Sequence, residues 1–417
     1  MVRHQVAGTL LGGVLSLALA CSGCDSTSGS AATSGAPATA AAGSARPAAT
    51  QASSSPRAGR PLSCAARVFS RLTMAQRAGQ LFAVSIATSP GSEVAREVTS
   101  HHFGSLLVGT TTTASLAELR HVTAADQALA SAAATARVRF FIAADQEGGE
   151  VQRLRGAGFA AIPSAVAQGE LAPATLRQQA AGWGSELKRA GVNLDLAPVM
   201  DVVPPGTAAR NQPIGALRRE FGTDPHTVAS HGVAFLRGLR QAGVAATAKH
   251  FPGLGRVTGN TDLTAGVVDP VTAPGDPYLG SFRAAIDAGV PFVMVSLARY
   301  PRIDPSHLAV FSSHIMRTLL RERMHFGGVI ISDDMGAAAA VASLPPAARA
   351  TAFLAAGGDM ILSDSLPAAA AMDTAVLAKM KRDPAFRSAA DSAVMHILAA
   401  KQTYGLLPCS TVRAAAG

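Results

Sequence analysis

From residue 62 onward the chain alternates between short β-branched or apolar runs and longer Ala- and Arg-rich stretches. Eight runs stand out, at 81–86, 104–109, 140–144, 194–198, 245–249, 292–297, 328–332 and 360–363. They are near-continuous rather than alternating, the pattern of strands buried on both faces. Between them the segments 116–136, 173–190, 225–242, 278–288 and 313–324 read as helices. Eight strand–helix units in roughly 350 residues predict a parallel sheet wrapped in helices, most simply a closed (β/α)8 barrel of TIM type. The competing architecture is a doubly wound open sheet. No G-x-G-x-x-G follows the first run, which counts against a dinucleotide-binding version of it.

The N-terminal 61 residues follow different rules. Residues 1–24 combine a charged start, Met1-Val2-Arg3-His4, with an apolar run at 10–20 that is too short to span a bilayer. Small residues precede both Cys21 and Cys24, as at a lipoprotein-type signal peptide cleavage site, and either cysteine can be the lipidated one. A plain secretory signal is the alternative, and both readings export the protein to the outer face of the membrane or beyond. Residues 25–61 contain Ala, Ser, Thr, Gly and Pro with three Arg and no Val, Ile, Leu or Phe. Such a segment cannot offset the entropy of ordering, so a disordered tether is predicted, with a single folded domain over 62–417. Cys64 and Cys409 flank that domain. In an oxidising compartment they are better read as a disulfide than as metal ligands, because the last helix of a closed barrel returns beside the first unit.

Charge and composition narrow the partners. The 417 residues carry 36 Lys plus Arg against 27 Asp plus Glu, a formal charge of +9. The basic residues are scattered, with no run of five and no interleaved aromatics, which argues against nucleic acid. A basic exterior suits an anionic cell wall or membrane surface instead. One Trp and three Tyr are too few for an extended aromatic polysaccharide track. No H-E-x-x-H is present, nor a C-x-x-C beyond the signal region, so neither a metal nor another cofactor is expected.

In a barrel the informative polar residues sit at the C-terminal ends of strands. Here the third run ends Asp145-Gln146-Glu147-Gly148-Gly149, the fourth carries Asp195 and Asp201, and the fifth ends Lys249-His250-Phe251-Pro252-Gly253. The seventh ends Ser332-Asp333-Asp334-Met335 and the eighth Ser363-Asp364. A single Asp after a strand is most often the cap of the next helix. Acidic groups at so many strand ends, with a Lys-His pair, instead imply one functional mouth.

The segments D-Q-E-G-G, K-H-F-P-G-x-G and S-D-D-M, in this order and spacing, resemble glycoside hydrolase family 3, and within it the single-barrel bacterial β-N-acetylglucosaminidases. The resemblance covers essentially all of residues 65–405 and implies a retaining exo-glycosidase acting through a glycosyl-enzyme. By position Asp333 matches the nucleophile. Its neighbour Asp334 competes for that role, although alternation along a strand lets only one of the two point into the mouth. Asp145 matches the carboxylate that accepts sugar hydroxyls, Arg153 and Arg219 match positions lining the sugar pocket, and Lys249 and His250 match the pair contacting hydroxyls at its floor. A core histidine that orients Lys249 is the plainer reading of His250, while Arg155 reads as a solvated loop residue.

The sequence departs from that family branch at one place. There the loop after K-H-F-P-G-H-G continues to Asp-Ser-His, and this Asp-His pair is the acid/base. Here the loop runs Leu254-Gly255-Arg256-Val257-Thr258-Gly259-Asn260-Thr261-Asp262, with Asn260 at the Asp position and Asp262 at the His position. Asp262 is the carboxylate available to protonate a leaving group. Three functions follow from this pattern: removal of terminal β-linked sugars such as N-acetylglucosamine from cell-wall fragments, sugar or muropeptide binding by a lipoprotein with a degenerate acid/base, or β-glucosidase-type specificity. The expected partner is a small carbohydrate or peptidoglycan fragment, with the membrane reached through the N-terminal lipid and the protein acting as a monomer.

Overall fold

The computed structural model describes residues 62–86 and 92–409, all within one compact unit, Arg60–Gly417. The expected signal peptide, lipidated cysteine and tether lie outside the described residues. Ten strands form: β1 Phe82–Ser85, β2 Ser105–Val108, β3 Phe141–Ala144, β4 Gln146–Gly148, β5 Val151–Gln152, β6 Leu194–Asp195, β7 Ala245–Phe251, β8 Phe292–Val295, β9 Val329–Ser332 and β10 Ile361–Ser363. β4 and β5 are a small antiparallel hairpin, and the other eight form one parallel sheet in the order β10-β1-β2-β3-β6-β7-β8-β9. The two ends of that order meet through a parallel bridge between Ile331 and Met360, with Ser332 N donating to Met360 O at 2.9 Å. The sheet is therefore a closed barrel with no free edge, which sets aside the open doubly wound alternative.

Seven of the eight strands fall inside an apolar run, and β7 begins with its run and continues two residues past it to Phe251; a strand with helices outside and packed side chains inside has no solvent face. Helix starts follow local chemistry as well. Pro occupies the first turn of Pro173–Arg189 and of Pro225–Gln241, where no intrahelical N–H is needed, and Asp224 accepts from His226 N and Thr227 N to cap the latter. The predicted helix 116–136 is two helices, Leu116–Ala128 and Ala132–Thr135. Ser131 caps the second by accepting from Ala134 N, so the chain restarts instead of continuing, although its Ala-rich composition favours one helix.

The last helix, Pro384–Thr403, closes the N-terminal end of the barrel. His396 pairs with Asp359 just before β10 at 2.8 Å, and Lys401 Nζ donates to Gln80 Oε1 at 2.8 Å and to Gly104 O at 2.6 Å, just before β1 and β2. The Tyr404 ring lies 6.0 Å from Phe141 of β3, which in turn meets Phe292 of β8 edge-on at 5.2 Å. Burial of the Lys401 ammonium pulls its pKa down to about 7. The crossing brings the chain ends together: Cys64 and Cys409 form the expected disulfide with a Cα–Cα distance of 5.8 Å, and Ala65 N donates to Gln402 Oε1 at 2.8 Å.

Candidate active site

The opposite end of the barrel opens into a cavity of ≈ 410 Å³. Asp145, Arg153, Arg219, Lys249, His250, Asp262 and Asp333 all line it, so the fold brings every candidate catalytic and sugar-binding residue to one place. They arrive from separate elements. Asp145 follows β3, Arg153 follows the β4–β5 hairpin, Arg219 lies in the segment before the helix Pro225–Gln241, Lys249 and His250 are in β7, and Asp333 follows β9. Leu107, Val151, Leu196, Leu254, Met294 and Leu362 supply apolar walls.

At the floor the charges form a chain. The Lys249 ammonium, 2% exposed, bridges Asp145 Oδ1 and Glu147 Oε1 at 2.6 Å each. Glu147 also receives both arms of Arg219, Nε to Oε2 at 2.8 Å and Nη2 to Oε1 at 2.7 Å. Burial works against the Glu147 charge, but the two cations overcome it and hold its pKa down at about 2. Arg219 is thus spent largely on Glu147 and on Pro213 O, 2.7 Å from Nη1. Arg153 is looser. Its Nε stands 3.9 Å from Asp145 Oδ2 and is buried without a hydrogen-bond partner among the described residues. Asp145 and the Arg153 guanidinium nonetheless line the cavity together, an acceptor and a donor group of the kind that sugar hydroxyls use. Arg155 is exposed and donates to its own loop, to Gln152 O and Gly149 O.

Lys249 is held by Asp145 and Glu147, and His250 is held by Asp201. Its Nδ1 lies 2.8 Å from Asp201 Oδ2, and Asp201 also accepts from His250 N and from Leu254 N. The imidazole Nε2 is left facing Arg219 Nη2 at 3.5 Å. Glu147 and Asp201 thus position three of the cavity residues, yet the sequence reading assigned neither a role. The only signal was their place in D-Q-E-G-G and after the fourth strand. Asp195 lies deeper. Burial pushes its pKa up to about 8, against the amide of Gln146 that donates to Oδ1 at 3.0 Å, and Oδ2 has no partner among the described residues.

Asp333 and Asp334 differ in their hydrogen bonds. Asp334 accepts from Gly336 N, Ala337 N and Asp364 N at 2.8, 2.9 and 2.9 Å, so its carboxylate builds the turn after β9 and ties it to the end of β10. Asp333 accepts only the amide of Asp334 among the described residues and keeps an oxygen free toward the cavity. Its pKa is raised to about 6, first by burial. His250 and Lys249 pull it down, while Asp262 pushes it up. Asp262 and Asp333 therefore sense each other across the cavity.

Asp262 sits on the loop that departs from the family branch. Asn260 Oδ1 accepts from Asp262 N at 3.0 Å, while Ala339 N and Ala340 N donate to Asp262 O and Thr261 O at 3.1 and 3.0 Å. Asn211 staples the earlier part of the loop, its Nδ2 donating to Leu254 O and Val257 O at 2.7 Å each. Four glycines between 253 and 266 would allow a mobile loop. These backbone anchors instead fix it beside the turn that carries Asp333 and leave the Asp262 side chain exposed at the rim.

A closed barrel with an isolated carboxylate opposite a second one, above a floor of paired cations and hydroxyl acceptors, is the arrangement of a glycoside hydrolase. The comparisons make the assignment specific. The glycosyl hydrolase family 3 N terminal domain matches residues 73–399, and the chain belongs to this family. It is 47% identical to the β-N-acetylhexosaminidase of Beutenbergia cavernae, whose crystal structure superposes with a TM-score of 0.78 over 79% of this chain and 98% of that one. The family 3 β-N-acetylglucosaminidase of Paenibacillus sp. FPU-7 is 28% identical, with a TM-score of 0.73 over 83% of this chain and 65% of that one. A β-hexosaminidase of Methylococcus capsulatus is 38% identical over 252 residues, 58% of this chain and 72% of that protein. The β-hexosaminidase of Xanthomonas oryzae is 38% identical over 229 residues, 53% of this chain and 66% of that protein.

Proposed function

We propose that the protein is an exported, retaining exo-glycosidase that releases terminal β-linked N-acetylglucosamine from cell-wall fragments. The observation that carries the reading is the free oxygen of buried Asp333 above the Lys249–Asp145–Glu147–Arg219 chain, in a cavity sized for a sugar. The names of the relatives at 38–47% identity support the hexosamine preference. The signal-like residues 1–24 and the Cys64–Cys409 disulfide support export.

In the first step Asp145 and Arg153 hold hydroxyls of the terminal sugar, with the Asp145 carboxylate held in place by Lys249. Asp333 attacks the anomeric carbon, the glycosidic C–O bond breaks, and the leaving oxygen takes the proton of Asp262. In the second step Asp262 removes a proton from water, the water oxygen bonds to the anomeric carbon, and Asp333 leaves. His250, aligned by Asp201, lends positive potential that favours the ionised nucleophile.

The test is a panel of aryl β-glycosides offered to the protein and to Asp333→Asn. Hydrolysis led by the N-acetylglucosaminide, and lost in Asp333→Asn, is the expected result. Aryl glycosides with good leaving groups need little acid assistance, so a protein that binds them without any turnover is a sugar-binding lipoprotein instead. A preference for the glucoside would move the specificity to the β-glucosidase type.

A further inference from the structure

The end of the barrel away from the cavity carries a feature that the reaction does not use. Exposed basic side chains gather there: Arg137 and Arg139 in the loop before β3, Lys188 and Arg189 ending the helix Pro173–Arg189, Arg240 in the last turn of Pro225–Gln241, and Arg323 ending His314–Arg323. The exposed carboxylates at this end are Asp287 and Glu322. Asp126 and Asp359 are buried and Asp391 is paired with Arg77, so they do not neutralise the face.

Cations at helix C-termini have a local use, because they offset the partial negative charge of the last carbonyls. Arg283 and Arg317 do this, donating to Met324 O and Ala355 O at 2.8 and 2.9 Å, and within the cluster Lys188 and Arg240 donate to Gly243 O and Ala288 O at 3.1 and 2.9 Å. The side chains of Arg137, Arg139 and Arg323 make no hydrogen bond or ion pair among the described residues, and the first two are not on a helix. Like charges also crowd: partial desolvation of its ammonium by neighbouring groups and the nearby Arg139 together pull the Lys188 pKa below its ordinary value. Gathering cations without counter-charges costs stability, and an anionic partner would recover it.

Two further observations identify that partner. The chain enters the described fold on this same face, where Leu62, 62% exposed, lies two residues before the disulfide that joins the first helix to the end of the last. The side of the last helix turned to solvent is small and polar, with Ser388, Ser392, Ala399 and Gln402 exposed, so no bulky group holds a broad surface away. We propose that this basic end docks against an anionic phospholipid surface and turns the catalytic mouth away from it. The proposal rests on the export reading for its setting, while the charge on the face is independent of it.

The protein beginning at Leu62 retains the closed barrel, its core and its disulfide, and therefore folds without the preceding residues. Its partitioning onto phosphatidylcholine vesicles with and without phosphatidylglycerol is the measurement. Binding only to the anionic vesicles, falling steeply with added salt, is expected. The triple variant Arg139→Glu, Arg189→Glu, Arg323→Glu should lower that partitioning by about 100-fold or more while leaving aryl glycoside hydrolysis unchanged. Equal binding to neutral and anionic vesicles overturns the proposal. So does undiminished binding by the triple variant, or retention on isolated anionic wall polymer with none on vesicles. If the Leu62 protein binds anionic vesicles but the full chain stays inside the cell that makes it, the export reading fails and the docking surface stands.

Discussion

Replacing Asp262 by Ala separates the acid/base role from everything else the loop does. Its carbonyl receives Ala339 N and its amide donates to Asn260 Oδ1, and both contacts survive truncation of an exposed side chain. Stability should therefore change by no more than about 0.5 kcal/mol. Removing a general acid costs about 10²–10⁴-fold when the leaving group is poor, and little when it departs unaided. The expected pattern is thus a loss in kcat/KM of that size on N-acetylglucosamine disaccharides and a small loss on dinitrophenyl glycosides. The Asp262 charge also helps raise Asp333 to about 6, so the acid limb of kcat/KM, which rises with pH as the nucleophile ionises, should move to lower pH in Asp262→Ala. Added azide, which needs no base, should restore deglycosylation and yield the β-glycosyl azide. Unchanged hydrolysis of the disaccharide, with an unmoved acid limb, would refute the assignment and leave His250 as the next residue to test.

Other consequences are equally specific. The Cys64–Cys409 bond closes 345 positions, so the double variant Cys64→Ser, Cys409→Ser should lose about 3–5 kcal/mol in urea unfolding, and an unchanged midpoint would show that the chain-entropy argument does not apply. Glu147→Gln removes the carboxylate shared by Lys249 and Arg219. It should lower kcat/KM by about 100-fold through misplaced sugar contacts, with Glu147→Asp recovering part of the loss and the pH profile of Asp333 little changed. Asp195 keeps its proton up to about 8 in the folded protein against 3.8 as an ordinary carboxyl. Its contribution is fully present below 3.8 and is lost as pH rises to about 8, so stability should decline across that window and Asp195→Asn should flatten the decline.

The barrel was legible because buried parallel strands leave an uninterrupted apolar signature, and each of the eight candidate runs overlaps a barrel strand, β7 alone running past its run to Phe251. Closure was not legible in the same way, since it depends on pairing between the segments around β9 and β10, such as Ile331 with Met360 and Met360 N with Ile330 O, and not on any local pattern. The break at Ser131 escaped because every residue around it tolerates a helix. Within the site, Asp145, Lys249 and Asp333 could be located from strand ends and family motifs. Glu147 and Asp201 could not be given roles, because those roles exist only through partners 72 and 49 positions away. His250 shows the same limit: its hydrogen-bond partner is Asp201, 49 positions away, which no local pattern indicates. Asp334 is the converse case: three amides within reach make it the turn-building carboxylate that an Asp after a strand usually is.

The central claim is that Asp333 forms a covalent bond to the sugar. A fluorinated N-acetylglucosaminyl fluoride, whose glycosyl-enzyme turns over slowly, tests it directly when the inactivated protein is digested and its peptides are sequenced by mass spectrometry. The account predicts one added glycosyl group per chain, carried by Asp333, and none in Asp333→Asn. A label on Asp334 or Asp262, or turnover of the fluoride with no covalent adduct at all, would contradict it.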